Sequence, residues 1–76
     1  MKNITDRITI NQAICNGKPT IRNKRITVNT ILEFLSAGET PENILLNYPM
    51  LEKEDIEACL AFAAKMLDRN FIIEYV

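Results

Sequence analysis

A chain of 76 residues can form one small domain, and a chain this short buries little more than half of its unfolded surface. Hydrophobic residues make up 47% of it, which favours a homodimer or a larger complex in which a second chain covers part of that surface. The formal net charge is −1, and the lack of histidine and of a Gly-rich phosphate loop argues against an enzyme. No apolar run approaches the roughly 18 residues that cross a bilayer, and no signal peptide is evident, so we expect a cytoplasmic protein with reduced cysteines.

The near-neutral total hides an uneven distribution of charge along the chain. Residues 1–32 carry six basic side chains and one acidic one, whereas residues 33–76 carry three basic and nine acidic side chains. Four basic residues lie in GKPTIRNKRITV, at Lys18, Arg22, Lys24 and Arg25. Arginine pairs well with carboxylates, and both residue types bind phosphate. We therefore expect this segment to bind an acidic protein or DNA, with an ordinary exposed loop as the alternative.

Residues 6–29 are predicted to form a β arm that carries the basic loop. The segment RITI at 7–10 alternates polar and apolar residues, which is typical of a half-buried strand. An Asn-rich turn follows, and short extended pieces are predicted at 20–21 and 26–28. Asn23 suits a left-handed turn position between these two pieces.

Residues 30–70 are predicted to form a core of three helices. The first helix places one apolar face at Val28, Ile31, Leu32 and Leu35. Thr30 and Glu33 form a possible capping box at its start, and Gly38 ends it. The second helix begins with Thr40 as N-cap and Pro41 in the first turn, and it stops before Pro49.

The third helix is predicted from Glu52 to Arg69. Its apolar stripe consists of Ile56, Cys59, Leu60, Ala63, Met66 and Leu67. Its first turn is acidic, with Glu52, Glu54, Asp55 and Glu57, which we interpret as a solvated helix end that suits the helix dipole. Because these side chains fan around the axis, they are not expected to hold a metal ion, and no cofactor is expected.

Two helices joined by a short turn with a glycine form a helix-turn-helix arrangement. The second of them would be the DNA-reading helix, and it presents Glu42, Asn43 and Asn47 without any lysine or arginine. Asparagine can read adenine, but phosphate repels glutamate, so direct readout has little support from these residues. A three-helix core that does not enter a DNA groove is the alternative.

The tail at 71–76, FIIEYV, contains five apolar residues in six. We expect some of its apolar side chains to form an interface with another chain, and packing back on the core is the alternative. The residues concerned are Phe71, Ile72, Ile73, Tyr75 and Val76.

Residues 6–64 resemble a bacterial family catalogued as domain of unknown function 433. The resemblance depends on four motifs: GKP.I at 17–21, RI.V at 25–28, ILEFLSAG.TPE.IL..YP at 31–49 and DI.A.LA.AA from residue 55. It implies a mainly α fold, a three-helix homeodomain-like helix-turn-helix bundle with a short N-terminal β-ribbon or arm. It also implies an antitoxin in a type II toxin–antitoxin module, beside a PIN-like ribonuclease toxin with an acidic metal site.

By the same resemblance, Lys18 and Arg25 occupy basic motif positions of the family. Asn23 and Lys24 stand where the family usually has Gly-Thr, so the charge of Lys24 is a departure from the pattern. The resemblance therefore predicts an antitoxin whose basic segment and tail contact the toxin, with operator DNA as a second target. A stand-alone dimeric DNA-binding transcriptional regulator and a structural assembly module remain as alternatives.

Overall fold

The computed structural model describes residues 2–3 and 5–70. The chain forms a mainly α fold of three helices with a short N-terminal β-ribbon, which confirms the predicted class. Its elements are β1 (Lys2–Asn3), β2 (Ile8–Ile10), a 3-10 turn (Cys15–Gly17), β3 (Thr20–Ile21), α1 (Val28–Ser36), α2 (Pro41–Asn47) and α3 (Lys53–Asn70). None of the helices in this part of the chain has the length and apolar character needed to cross a membrane.

The strands form an antiparallel sheet in the order β1, β2, β3. Ile8 pairs with Ile21, and Thr9 pairs with Thr20 in the next register position. Because directly paired residues on neighbouring strands point to the same face of a sheet, both isoleucines lie on one side, where they are fully buried in the core. The ribbon therefore contributes two core residues and packs against α3 instead of projecting from the body.

The first helix begins one turn before the predicted capping box. Thr27 is the N-cap, and its Oγ1 accepts a hydrogen bond from the Thr30 N–H at 3.1 Å. Thr30 thus lies inside the helix, and the predicted box of Thr30 with Glu33 is wrong. The Glu33 carboxylate instead accepts a hydrogen bond from the Asn29 side chain at 2.8 Å.

Gly38 ends α1 as the sequence predicts. Its φ of +96° is in the left-handed region. The Glu39 N–H donates to the Phe34 carbonyl at 3.0 Å, and the Gly38 N–H donates to the Leu35 carbonyl at 3.1 Å. These two bonds form a Schellman motif, which satisfies carbonyls that a helix end leaves without partners.

The other predicted helix boundaries are confirmed to within one residue. Thr40 caps α2 by accepting a hydrogen bond from the Asn43 N–H at 3.2 Å, and Pro41 is the first helical residue. The helix ends at Asn47, before Pro49. The third helix begins at Lys53 and runs to Asn70.

The core lies between the sheet and the three helices, and it includes only part of the predicted stripe of α3. Ile56 and Cys59 are buried, but Leu60 is 51% exposed and Leu67 is 58% exposed. From Leu60 onward, α3 therefore presents apolar side chains outside the core that the described residues form.

Candidate functional site

The basic segment folds as a hairpin with a tight turn at its tip. The Ile21 N–H donates to the Ile26 carbonyl at 3.1 Å, and the Lys24 N–H donates to the Ile21 carbonyl at 2.8 Å. The central residues of the turn, Arg22 (φ 45°) and Asn23 (φ 60°), are both left-handed. This is the pattern of a type I′ turn, and it confirms the predicted conformation of Asn23. We call residues 18–28 the basic hairpin and residues 22–25 the basic turn.

Arg22 adopts a backbone conformation that costs an L residue roughly 1–2 kcal/mol. Three side-chain hydrogen bonds hold it there. Its Nε donates to Asp55 Oδ1 at 3.0 Å, and its Nη2 donates to Asp55 Oδ2 at 2.7 Å and to the Met50 carbonyl at 3.0 Å. Arg22 is therefore committed to contacts inside the chain.

Asp55 is fully buried and lies at the centre of a cluster of charges. Besides the two bonds from Arg22, it accepts hydrogen bonds from Arg7 Nη1 and from the Glu52 N–H, both at 2.8 Å. Arg7 Nη1 also pairs with the exposed Glu52 carboxylate at 2.7 Å. We call Arg7, Arg22, Glu52 and Asp55 the Asp55 cluster. The cluster joins the basic turn and Arg7, the residue before β2, to the first turn of α3.

The pKa shifts of Asp55, Arg22 and Arg7 each favour the charged form of the group. Burial by itself would raise the pKa of Asp55, but the hydrogen bonds from Arg22, the Glu52 N–H and Arg7 outweigh it and lower the pKa below its usual value. The bond to Asp55 raises the pKa of Arg22. The bonds to Glu52 and then Asp55 raise the pKa of Arg7. Asp55 is therefore ionised at neutral pH and forms ion pairs with both arginines.

This arrangement corrects the predicted character of the acidic helix start. Asp55 is not a solvated residue, although Glu52, Glu54 and Glu57 are exposed. Every buried side-chain polar atom among the described residues has a hydrogen-bond partner. The same residues contain no group of three or more metal-ligating side chains.

The other three basic side chains of the basic segment form no polar contacts with the described part of the chain. Lys18, Lys24 and Arg25 make no side-chain hydrogen bond or ion pair with residues 5–68. Lys24 and Arg25 lie in the turn itself, next to the anchored Arg22. In the basic segment, Arg22 thus fixes the hairpin. The other three basic residues form no ion pair with a described carboxylate.

The predicted DNA-reading residues Glu42, Asn43 and Asn47 are all exposed on α2. They share this surface with Leu46, which is 78% exposed. From Val28 to Asn47 the chain contains three glutamates and neither lysine nor arginine. An acidic surface with an exposed leucine repels phosphate and suits contact with protein.

A second exposed feature is a cleft of about 590 Å³ between α1 and α3, near the base of the basic hairpin. Its apolar walls include Val28, Leu32, Phe62, Ala63 and Leu67, and Lys18 and Pro19 also line it. The predicted interface residues Phe71, Ile72, Ile73, Tyr75 and Val76 lie outside the described residues.

Cys59 lies in the core, as its position on the helical stripe predicts. Burial raises the pKa of its thiol to about 12, with a further contribution from the charge of Asp55. Cys15 is only partly buried, in the loop before the basic hairpin. The Cys59 thiol is almost entirely protonated at neutral pH because of its raised pKa, so Cys59 is a packing residue.

The fold and these surfaces define a small three-helix domain with an N-terminal β-ribbon, a basic hairpin and an open apolar cleft. A family model described as Protein of unknown function (DUF433) matches residues 8–63, and the chain therefore belongs to the DUF433 family. This is the family that its sequence motifs resemble. No curated protein and no solved structure matches the chain significantly.

Proposed function

We propose that the chain is a cytoplasmic antitoxin of a type II toxin–antitoxin module, and that it binds and neutralises a PIN-like ribonuclease. It acts by occupying its partner and not by catalysis. The observation that carries the proposal is the division of the basic segment. Arg22 is tied to Asp55, while Lys18, Lys24 and Arg25 have no ionic partner among the described residues.

A preformed cationic binding surface needs one residue that holds the turn in place and other basic residues that are left to contact the partner. The basic segment has both. Because two hydrogen bonds join Arg22 to Asp55, the adjacent Lys24 and Arg25 are held on a tight turn before any partner arrives. Preorganisation lowers the entropic cost of binding. The expected target is acidic, and the carboxylates of a PIN-like metal site fit that description. Arg22 itself, predicted from the sequence as a contact, serves here to position the turn.

Exposed apolar surface supports association with another protein. Leu46, Met50, Leu60 and Leu67 are each about half exposed or more. Such side chains on a chain of 76 residues favour a complex, either with the toxin or as a homodimer.

Growth of bacteria tests the proposal. The reading frame next to this one is expressed alone, with the wild-type chain, and with the double variant Lys24→Glu/Arg25→Glu. The proposal expects growth arrest by the neighbour alone, rescue by the wild-type chain and weak rescue by the double variant. Lys65→Glu is the control, because Lys65 is exposed on α3 and lines neither the cleft nor the basic hairpin, and it should rescue fully.

Harmlessness of the neighbour, or full rescue by the double variant, would contradict the proposal. Immunoblots and circular dichroism establish that each variant is present and folded. These two checks separate loss of binding from loss of the protein.

A stand-alone dimeric DNA-binding regulator is the second candidate, and it is supported by the short connection at 37–40 between α1 and α2, a length typical of helix-turn-helix proteins. Phosphate contacts would come from Lys18, Lys24 and Arg25 because α2 lacks basic residues. Six such contacts in a dimer predict a log–log salt slope of about −5 for operator binding. A slope near zero, or no binding at low salt, would exclude this candidate.

A further inference from the structure

The cleft between α1 and α3 has apolar walls, and among the described residues that line it Lys18 is the only cation. Val28 and Leu32 come from α1, and Phe62 and Leu67 come from α3. Lys18 supplies the positive charge. A ligand that matches this surface combines apolar side chains with one carboxylate.

We propose that residues 71–76 of the same chain, FIIEYV, bind this cleft. The segment has five apolar residues and one charged residue, Glu74. It thus has the composition that the walls and Lys18 select. The proposal is independent of the toxin and of DNA.

The position of the cleft along α3 places the segment within reach. Leu67 precedes Asn70, the last residue of α3, by three positions. At a rise of 1.5 Å per residue this distance is about 5 Å along the helix axis. Six residues span at most about 20 Å, several times the axial distance back to Leu67, and Leu32 lines the same cleft as Leu67.

The covalent link favours this occupant over others of similar composition. Because the segment is attached to the same chain, its effective concentration at the cleft is in the millimolar range. A separate peptide would have to be present at a similar concentration to compete with it. A second copy of the chain and a foreign protein are the competing occupants, and the experiment below separates them from the intrachain segment.

Nuclear magnetic resonance on the full chain tests the proposal. Nuclear Overhauser effects are expected between the ring protons of Phe71 or Tyr75 and the methyl groups of Leu32 and Leu67. In a mixture of labelled and unlabelled chains they should arise within one chain. Leu67→Glu should abolish the contacts of the rings with Leu32. Leu60→Glu, a similarly exposed position on α3 outside the cleft, should leave them unchanged.

The absence of these effects in the full chain, or their appearance only between differently labelled chains, would overturn the proposal. The latter result would identify a second copy as the occupant. Charge reversal supplies a second measurement. Lys18→Glu and Glu74→Lys should each lower the melting temperature, and the two together should restore at least half of the combined loss; simple addition of the two losses would overturn the pairing.

Discussion

Replacement of Asp55 by asparagine tests the role of the Asp55 cluster most sharply. The carboxylate accepts four hydrogen bonds, three from guanidinium groups and one from a backbone N–H. Asparagine keeps the shape but loses the charge, and its NH₂ group faces donors. The substitution therefore leaves Arg7 and Arg22 without their shared counter-ion while changing almost no volume.

The expected loss of stability is about 3 kcal/mol. Removing one partner from a buried ion pair costs roughly 3–5 kcal/mol. The side chains of Arg7 and Arg22 are 31% and 32% exposed, so water replaces part of the lost bonding and the loss falls at the low end. For a domain of this size, the melting temperature should fall by about 15 °C.

Urea denaturation at pH 7 and at lower pH is the assay. The folded-state pKa of Asp55 lies below the unfolded value, so its stabilisation is complete above the unfolded pKa of about 4 and is lost as the pH falls through the folded pKa. The wild-type chain should thus lose its advantage over Asp55→Asn as the pH is lowered from about 4 towards 2.

Glu57→Gln is the matched control for this substitution. Glu57 is exposed on the same helix, and its neutralisation should change the free energy of unfolding by less than about 0.5 kcal/mol. A loss below about 1 kcal/mol for Asp55→Asn, or a difference that does not depend on acid pH, would refute the assignment of Asp55 as a charged anchor.

Three further predictions concern local features. Thr27→Ala should cost about 1 kcal/mol in urea unfolding because the N-cap bond to Thr30 is lost, and equal losses for Thr27→Ser would contradict the cap. Gly38→Ala should cost about 1 kcal/mol through its positive φ alone, since nothing lies within 4 Å of an added Cβ; an unchanged melting temperature would contradict this. In a Cys15→Ser background, Cys59 should react with a thiol reagent only at the rate of unfolding, because burial raises its pKa to about 12; fast reaction in the native state would contradict its burial.

Features with short-range signals could be predicted from the sequence. Thr40, Pro41 and Gly38 act within one helical turn of their own position, and the structure places all three as predicted. The start of α1 was ambiguous because Thr27 and Thr30 are both good N-caps. In the structure Thr27 is the cap, and Val28 is buried as the first helical residue.

The Asp55 cluster could not be predicted from the sequence because its members are distant along the chain. Arg22 and Arg7 lie 33 and 48 positions before Asp55. An aspartate in the first turn of a helix is usually explained by the helix dipole. One indication was available, namely that Arg22 precedes Asn23 in a predicted left-handed turn, where an arginine needs a compensating contact.

The extent of the core was also beyond local signals. The spacing of Leu60 and Leu67 on α3 is as regular as that of Ile56 and Cys59, yet only the second pair is buried. The helices α1 and α2 and the strand β2 all pack against α3, but Leu60 and Leu67 lie outside the core that these elements form with it. Periodicity defines a face of a helix, whereas neighbouring elements decide which residues of that face are buried.

The most direct test of the proposed function is the affinity of the purified chain for the product of the neighbouring reading frame. Calorimetry would compare the wild-type chain with Lys24→Glu/Arg25→Glu and with Lys65→Glu. We expect the double variant to bind at least about 100-fold more weakly and the control within about threefold of wild type, since unpaired charges at a binding surface cost about 2–5 kcal/mol. Equal affinity of the folded double variant and the wild-type chain would show that the basic turn is not the binding surface.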